Sequence, residues 1–195
     1  MSKKKAVIVG FGSLGGGSWF REVKNHPDFD LIGIVDTDTE LLENVTNFGL
    51  EEEQGYISID DAVKFGEKPD LAIIATPIYT HHVLVKETMD LGINVICEKN
   101  MASNVIQGKQ MVQCAIDHPE LCTAVGTQYR YFPKNWTAKQ FFQQKDCPIG
   151  DIAFIRWTGA GNWGEKRSGW RRWLQDIYLE DMCTHYFDLL RYITG

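Results

Sequence analysis

Short apolar runs alternate along the chain with longer stretches in which apolar residues recur every three to four positions. Six runs read as strands: Ala6–Gly10, Leu31–Val35, Tyr56–Ser58, Leu71–Ala75, Asn94–Cys97 and Cys122–Gly126. They are almost continuously apolar, as parallel strands covered on both faces must be. The intervening stretches read as helices over Gly15–Asn25, Asp38–Phe48, Ser58 to about Gly66, Thr80–Leu91 and Ser103–Asp117. Thr37-x-x-Glu40 and Ser58-x-x-Asp61 have the spacing of capping boxes. Gly92 provides a left-handed stop and Pro119 a second one. Strands alternating with helices force right-handed crossovers, so the expected fold class is α/β with a doubly wound parallel sheet.

The pattern changes near residue 125. Gln128–Phe132 is an aromatic run ending at Pro133, Trp136–Gln144 reads as a helix, Ile152–Trp157 as a strand, and Ile177–Ile193 as a helix. A Gly/Trp/Arg-rich stretch, Gly159–Trp173, lies between the last two. Two domains are therefore expected: residues 1–125, and residues 126–195 as the beginning of an α+β domain. One strand and two helices bury little, so the second domain reads as incomplete.

Composition narrows the function classes. Hydrophobic residues make up 44% and charged residues 24% of the 195, an ordinary globular balance. Twenty Lys+Arg against 26 Asp+Glu give a net charge of −6, which argues against a nucleic-acid partner. No run is long enough to span a membrane. The basic start followed by Ala6–Val9 has the look of a secretory leader, but Gly10, Gly12 and Gly15 interrupt it. Five cysteines, an odd number without a C-x-x-C pair, point to reduced thiols and a cytoplasmic protein.

The first chemical motif is Gly10-Phe11-Gly12-Ser13-Leu14-Gly15, a G-x-G-x-x-G turn between a strand and a helix. In that setting Gly10 makes the turn, Gly12 admits a pyrophosphate and Gly15 lets helix and strand pack closely. Asp36, at the end of the second strand with Thr37 beside it, can accept the ribose hydroxyls of NAD and would repel the 2′-phosphate of NADP. The expected domain 1–125 is thus a Rossmann domain preferring NAD, with NADP second. Asp36 could equally cap the following helix, as could Asp38.

Three further segments end strands or share a helix face. Ala75-Thr76-Pro77 closes the fourth strand, where Thr76 and Pro77 would line the nicotinamide side. His81 just beyond is either a ligand contact or a helix-start hydrogen bond. Glu98-Lys99 closes the fifth strand, where partial burial would suit Lys99 to a substrate oxygen. Position alone also allows a solvated Lys99 paired with Glu98. Asp181, His185 and Asp188 share one helix face, an acid/base arrangement unless Asp188 simply pairs with Arg191. Asp181, Cys183 and His185 could be taken for metal ligands, but Cys183 lies about 200° around the helix from Asp181, so no metal is expected. A Cys183/His185 hydrolase lacks a nucleophile elbow.

Taken together, these motifs resemble the Gfo/Idh/MocA oxidoreductases. The resemblance implies hydride transfer between a nicotinamide and a sugar, cyclitol or related polyol. It places Lys99, Asp181 and His185 where the family's catalytic residues stand. It also implies that the Gly126–Arg130 segment, with Arg130, and Gly169-Trp170-Arg171 face substrate, with Glu98 on the cofactor. The family's Glu-Lys-Pro reads Glu98-Lys99-Asn100 here. A homo-oligomer or a complementing C-terminal chain is expected. The alternatives are a non-catalytic dinucleotide-binding module or one half of a split enzyme.

Overall fold

The computed structural model describes residues 2–158 and 169–195, in two compact units, Met1–Gly126 and Thr127–Gly195. Residues 159–168 of the Gly/Trp/Arg-rich stretch, and the side chain of Trp170, lie outside the described residues.

The first unit is built on six parallel strands: β1 (Lys4–Val9), β2 (Phe29–Val35), β3 (Gly55–Tyr56), β4 (Leu71–Ile74), β5 (Asn94–Cys97) and β6 (Thr123–Val125). Their order is β3-β2-β1-β4-β5-β6, so the strand order reverses between β1 and β4. This is the doubly wound Rossmann arrangement that the alternating pattern predicts. Side chains of β1 divide between the two faces: Val7 and Val9 join one core cluster, and Ile8 joins another with Phe11, Ile34 and Val45. Full burial of one such aliphatic side chain contributes about 1.5–3 kcal/mol.

The helices are α1 (Phe20–Asn25), α2 (Thr39–Glu43), α3 (Ile59–Phe65), α4 (His81–Asp90) and α5 (Val105–Asp117). The expected first helix begins as a wider π-helical turn, Ser13–Trp19, before tightening into α1. Of the caps left open for α2, Asp38 serves and Thr37 does not: the Asp38 side chain accepts from the Leu41 N–H. Ser58 caps α3 through the Asp61 N–H, as the spacing predicts. Gly92 follows α4 with φ +69°, in the left-handed conformation that stops a helix.

The second unit holds α6 (Pro133–Phe142) and α7 (Cys183–Thr194), the latter entered through a π-helical turn at Tyr178–Met182. The expected strand Ile152–Trp157 does not form. An apolar run becomes a strand only when a neighbour takes its main-chain hydrogen bonds, and among the described residues none pairs with it. No helix among the described residues is long and apolar enough to cross a membrane.

Candidate active site

The carboxyl ends of β1 and β4 flank the point where strand order reverses, the usual ligand crevice of such sheets. The three motif glycines serve three different ends there. Gly10 has φ +86°, and a Cβ on it would sit 2.6 Å from Thr76 Cγ2. Gly15 presses on the turn itself, where a Cβ would stand 1.9 Å from the Gly10 carbonyl oxygen. Gly12 is the opposite case: nothing lies within 4 Å of the place its Cβ would occupy. The backbone at Gly12 therefore borders open space at the start of a helical turn, whose first amides have no partner inside the helix. That is the cradle a diphosphate needs, and a side chain would fill it.

Asp36 stands beside this turn. Its Oδ2 accepts the Phe11 N–H at 2.6 Å and its Oδ1 the Asp38 N–H at 3.1 Å. A carboxylate oxygen can accept twice, so each keeps capacity for a ribose hydroxyl. The Phe11 ring is turned into the core, edge-on to Phe20 and Phe48 at 5.5 and 4.8 Å, so only its main chain borders the crevice. Ser13 and Thr37 are exposed and Leu14 half-buried around the same turn.

Beyond β4 the structure gives His81 a task other than direct cofactor contact. The ring is 1% exposed, with Nε2 2.9 Å from the Thr76 carbonyl and Nδ1 2.9 Å from the Asn100 carbonyl. It ties the loop carrying Ala75, Thr76 and Pro77 to the loop carrying Lys99. Glu98 is buried too: Oε1 accepts the Trp19 indole N–H at 2.7 Å and Oε2 the Lys99 N–H at 3.0 Å. Lys99 is half-buried, and the peptide linking it to Asn100 is cis. Burial, with help from Glu98, pushes the neighbouring Cys97 thiol up to about 12, which keeps it protonated.

In the second unit Asp181 and His185 are 5% and 3% exposed. Tyr129 stacks on the His185 imidazole at 4.2 Å with 8° between the planes. The buried Asn135 side chain donates to the Tyr129 carbonyl at 2.8 Å. Arg171 Nε–H donates to Asp181 Oδ2 at 2.9 Å. Arg130 forms a two-pronged pair with Asp188, Nε–H to Oδ2 at 2.6 Å and a second, shorter bond from Nη2. That pairing holds the guanidinium pKa up. Asp188 thus meets Arg130 rather than Arg191, and both arginines expected on the substrate side hold carboxylates. Lys99 belongs to the first unit, and Asp181 and His185 to the second.

Three participants were not singled out from the sequence, and a fourth, Asn100, only as the departure from Glu-Lys-Pro. Trp19 orients Glu98, Tyr129 flanks His185, Asn135 anchors Tyr129, and Asn100 receives His81. The long helical pattern after the glycines and the aromatic run 128–132 contained the signal for Trp19 and Tyr129, without naming their partners.

Residues 4–126 match the oxidoreductase family model GFO_IDH_MocA, described by its NAD-binding Rossmann fold. The chain belongs to that family, whose fold binds NAD. It is 27% identical over 161 residues to a levoglucosan dehydrogenase of Pseudarthrobacter phenanthrenivorans, matching 78% of this chain and 39% of that one. Its structure resembles myo-inositol 2-dehydrogenase from Lactobacillus plantarum with a TM-score of 0.82 and 25% identity, covering 100% of this chain and 57% of that one. It also resembles the WlbA dehydrogenase from Chromobacterium violaceum, solved with NADH and UDP-GlcNAcA, with a TM-score of 0.80, 25% identity, and coverage of 100% and 56%. The chain thus spans about 40–60% of the length of these relatives.

Proposed function

We propose that this chain carries the cofactor-binding part and catalytic side chains of an NAD-dependent oxidoreductase acting on a CH–OH group of a sugar, cyclitol or related polyol. The observation that carries the reading is the open cradle at Gly12 with the Asp36 carboxylate beside it. Levoglucosan and inositol in the relatives' names, and UDP-GlcNAcA in the WlbA complex, support the substrate class.

When bound, the nicotinamide supplies the hydride acceptor or donor. The main chain at Gly12, Ser13 and Leu14 would hold the diphosphate, and Asp36 the adenosine ribose. Thr76, Pro77 and Glu98 would line the nicotinamide half, with His81 fixing two of those loops to each other. His185 removes or returns the proton of the reacting hydroxyl. Its ring plane is set by Tyr129. Asp181 orients the substrate, and Arg171 in turn orients Asp181. The Lys99 ammonium stabilises charge developing on the substrate oxygen.

Exposed apolar side chains in the second unit, among them Ile149, Phe154 and Trp157, support a surface that meets more protein, either a second copy or a complementing chain. The cofactor reading is tested by titrating the protein with NADH and with NADPH. NADH should bind more tightly, because Asp36 repels a 2′-phosphate, and Asp36→Ser should narrow the gap. Tighter NADPH binding by the unaltered chain contradicts the role given to Asp36.

A further inference from the structure

A second cluster of chemistry-bearing side chains lies far along the sheet from the glycine turn. Helices α4 and α5 pack side by side and end next to the amino ends of β5 and β6, opposite the strand ends that carry Gly10 and Lys99. At those helix ends Asp90, Cys114 and His118 each offer a ligand atom, all within 4.8 Å of one another. Cys114 Sγ is 3.9 Å from His118 Nδ1, and His118 Nε2 is 3.7 Å from Asp90 Oδ1. Ligands around a tetrahedral zinc ion, with bonds of about 2.0–2.3 Å, stand about 3.4–3.6 Å apart. Closing on an ion would draw these atoms in from separations of up to 4.8 Å, a shift the exposed Asp90 side chain can make.

The outer contacts are those of ligands held in place. His118 Nδ1 donates to the Cys114 carbonyl at 3.0 Å, which orients the ring with Nε2 toward the Asp90 carboxylate at 3.7 Å. Lys86 holds the other oxygen of Asp90, Oδ2, at 2.5 Å and so turns Oδ1 toward His118. Cys114 is 8% exposed, with its thiol on Met89 Sδ at 3.8 Å, while the Asp90 and His118 side chains are 48% and 25% exposed and leave an approach from solvent.

We propose that Asp90 Oδ1, Cys114 Sγ and His118 Nε2 form a binding site for Zn2+, with water as the fourth ligand. The thiol proton passes to solvent as the sulfur–zinc bond forms. Thiolate and carboxylate together cancel the ion's charge. The ion clamps α4 to α5, so its effect falls on stability and not on the cofactor crevice.

The test is titration of the reduced, metal-free chain with Co2+ followed by Zn2+. One equivalent of Co2+ should give a thiolate-to-metal absorption band and the strong visible spectrum of a four-coordinate ion, both removed by Zn2+. Cys114→Ala and His118→Ala should abolish the band. Cys122→Ser, at an exposed cysteine outside the cluster, should keep it. Asp90→Asn changes only an exposed side chain, should keep the fold and the thiolate band, and should weaken binding by at least about tenfold, as losing even an orienting group costs 10–100-fold. A weak six-coordinate spectrum without the thiolate band overturns the site. So does a band that survives Cys114→Ala, or an affinity that Asp90→Asn leaves unchanged.

Discussion

The two units bury different kinds of side chain. In Met1–Gly126 the interior is mostly aliphatic: Ala6, Val7, Ile8, Ile34, Ile73, Ile74 and Met89 are within 1% of complete burial, and the buried polar residues His81, Thr88 and Glu98 are far outnumbered. In Thr127–Gly195 only Ile177 and Leu189 are buried apolar residues among those described, against three polar ones, Asn135, Asp181 and His185. The cofactor crevice therefore rests on non-directional packing that fixes a backbone, with Asp36, His81 and Glu98 adding hydrogen bonds at its edge. The group around His185 is shaped by directional contacts: a stacked tyrosine, two arginine–carboxylate pairs and a side-chain amide on a carbonyl. A change in the first unit's core should act through stability, and one beside His185 through turnover.

The largest effect that separates them is expected at His185. His185→Ala should lower kcat by about 10²–10⁴ while leaving the NADH dissociation constant unchanged. Equal loss of cofactor binding would mean that the second unit also builds the crevice, and the contrast would fail. Ile8→Ala is the mirror case. It empties a fully buried position on the central strand and should lower unfolding free energy by about 2–5 kcal/mol, read as a shift in denaturant midpoint. Retention of wild-type stability would show that the sheet core does not hold the first unit together.

The smallest effect lies at the start of the sheet. The Lys5 N–H donates to Asp70 Oδ2 at 2.9 Å, and this bond, then Lys4, holds the carboxyl pKa below its ordinary value. A lowered folded pKa stabilises the fold above the unfolded carboxylate value and loses that contribution as pH falls through the folded one. Asp70 is 38% exposed, so Asp70→Asn should cost less than about 1 kcal/mol at neutral pH. The gap to wild type should close below about pH 4 in acid titrations of stability. A gap that persists in acid would assign it to packing instead of charge.

The same contrast explains what could be read from the sequence. The order of strands, the glycine turn and Asp36 are local: each follows from a few consecutive residues and a periodicity of two or 3.6. The sheet accordingly forms in the expected doubly wound order, and Asp38, one of the caps the sequence left open, starts α2. The Tyr129–His185 stack joins residues 56 positions apart and the Arg130–Asp188 pair residues 58 apart. Composition could not reveal either pairing. His81 illustrates a middle case, a residue found by its place after β4 whose ring proves to serve two carbonyls. The run Ile152–Trp157 has the right residues for a strand but, among the described residues, no neighbour to make it one.

The central claim is that the turn at Gly12 holds the coenzyme's diphosphate, and Gly12→Val tests it directly. Gly12 has φ −69° and open space around its missing Cβ, so the fold should tolerate the side chain. Calorimetric titration with NADH should show the variant at wild-type melting temperature with its binding reduced beyond about tenfold, since valine would stand where the phosphates sit. A variant that melts normally and binds NADH as well as the parent would contradict the account.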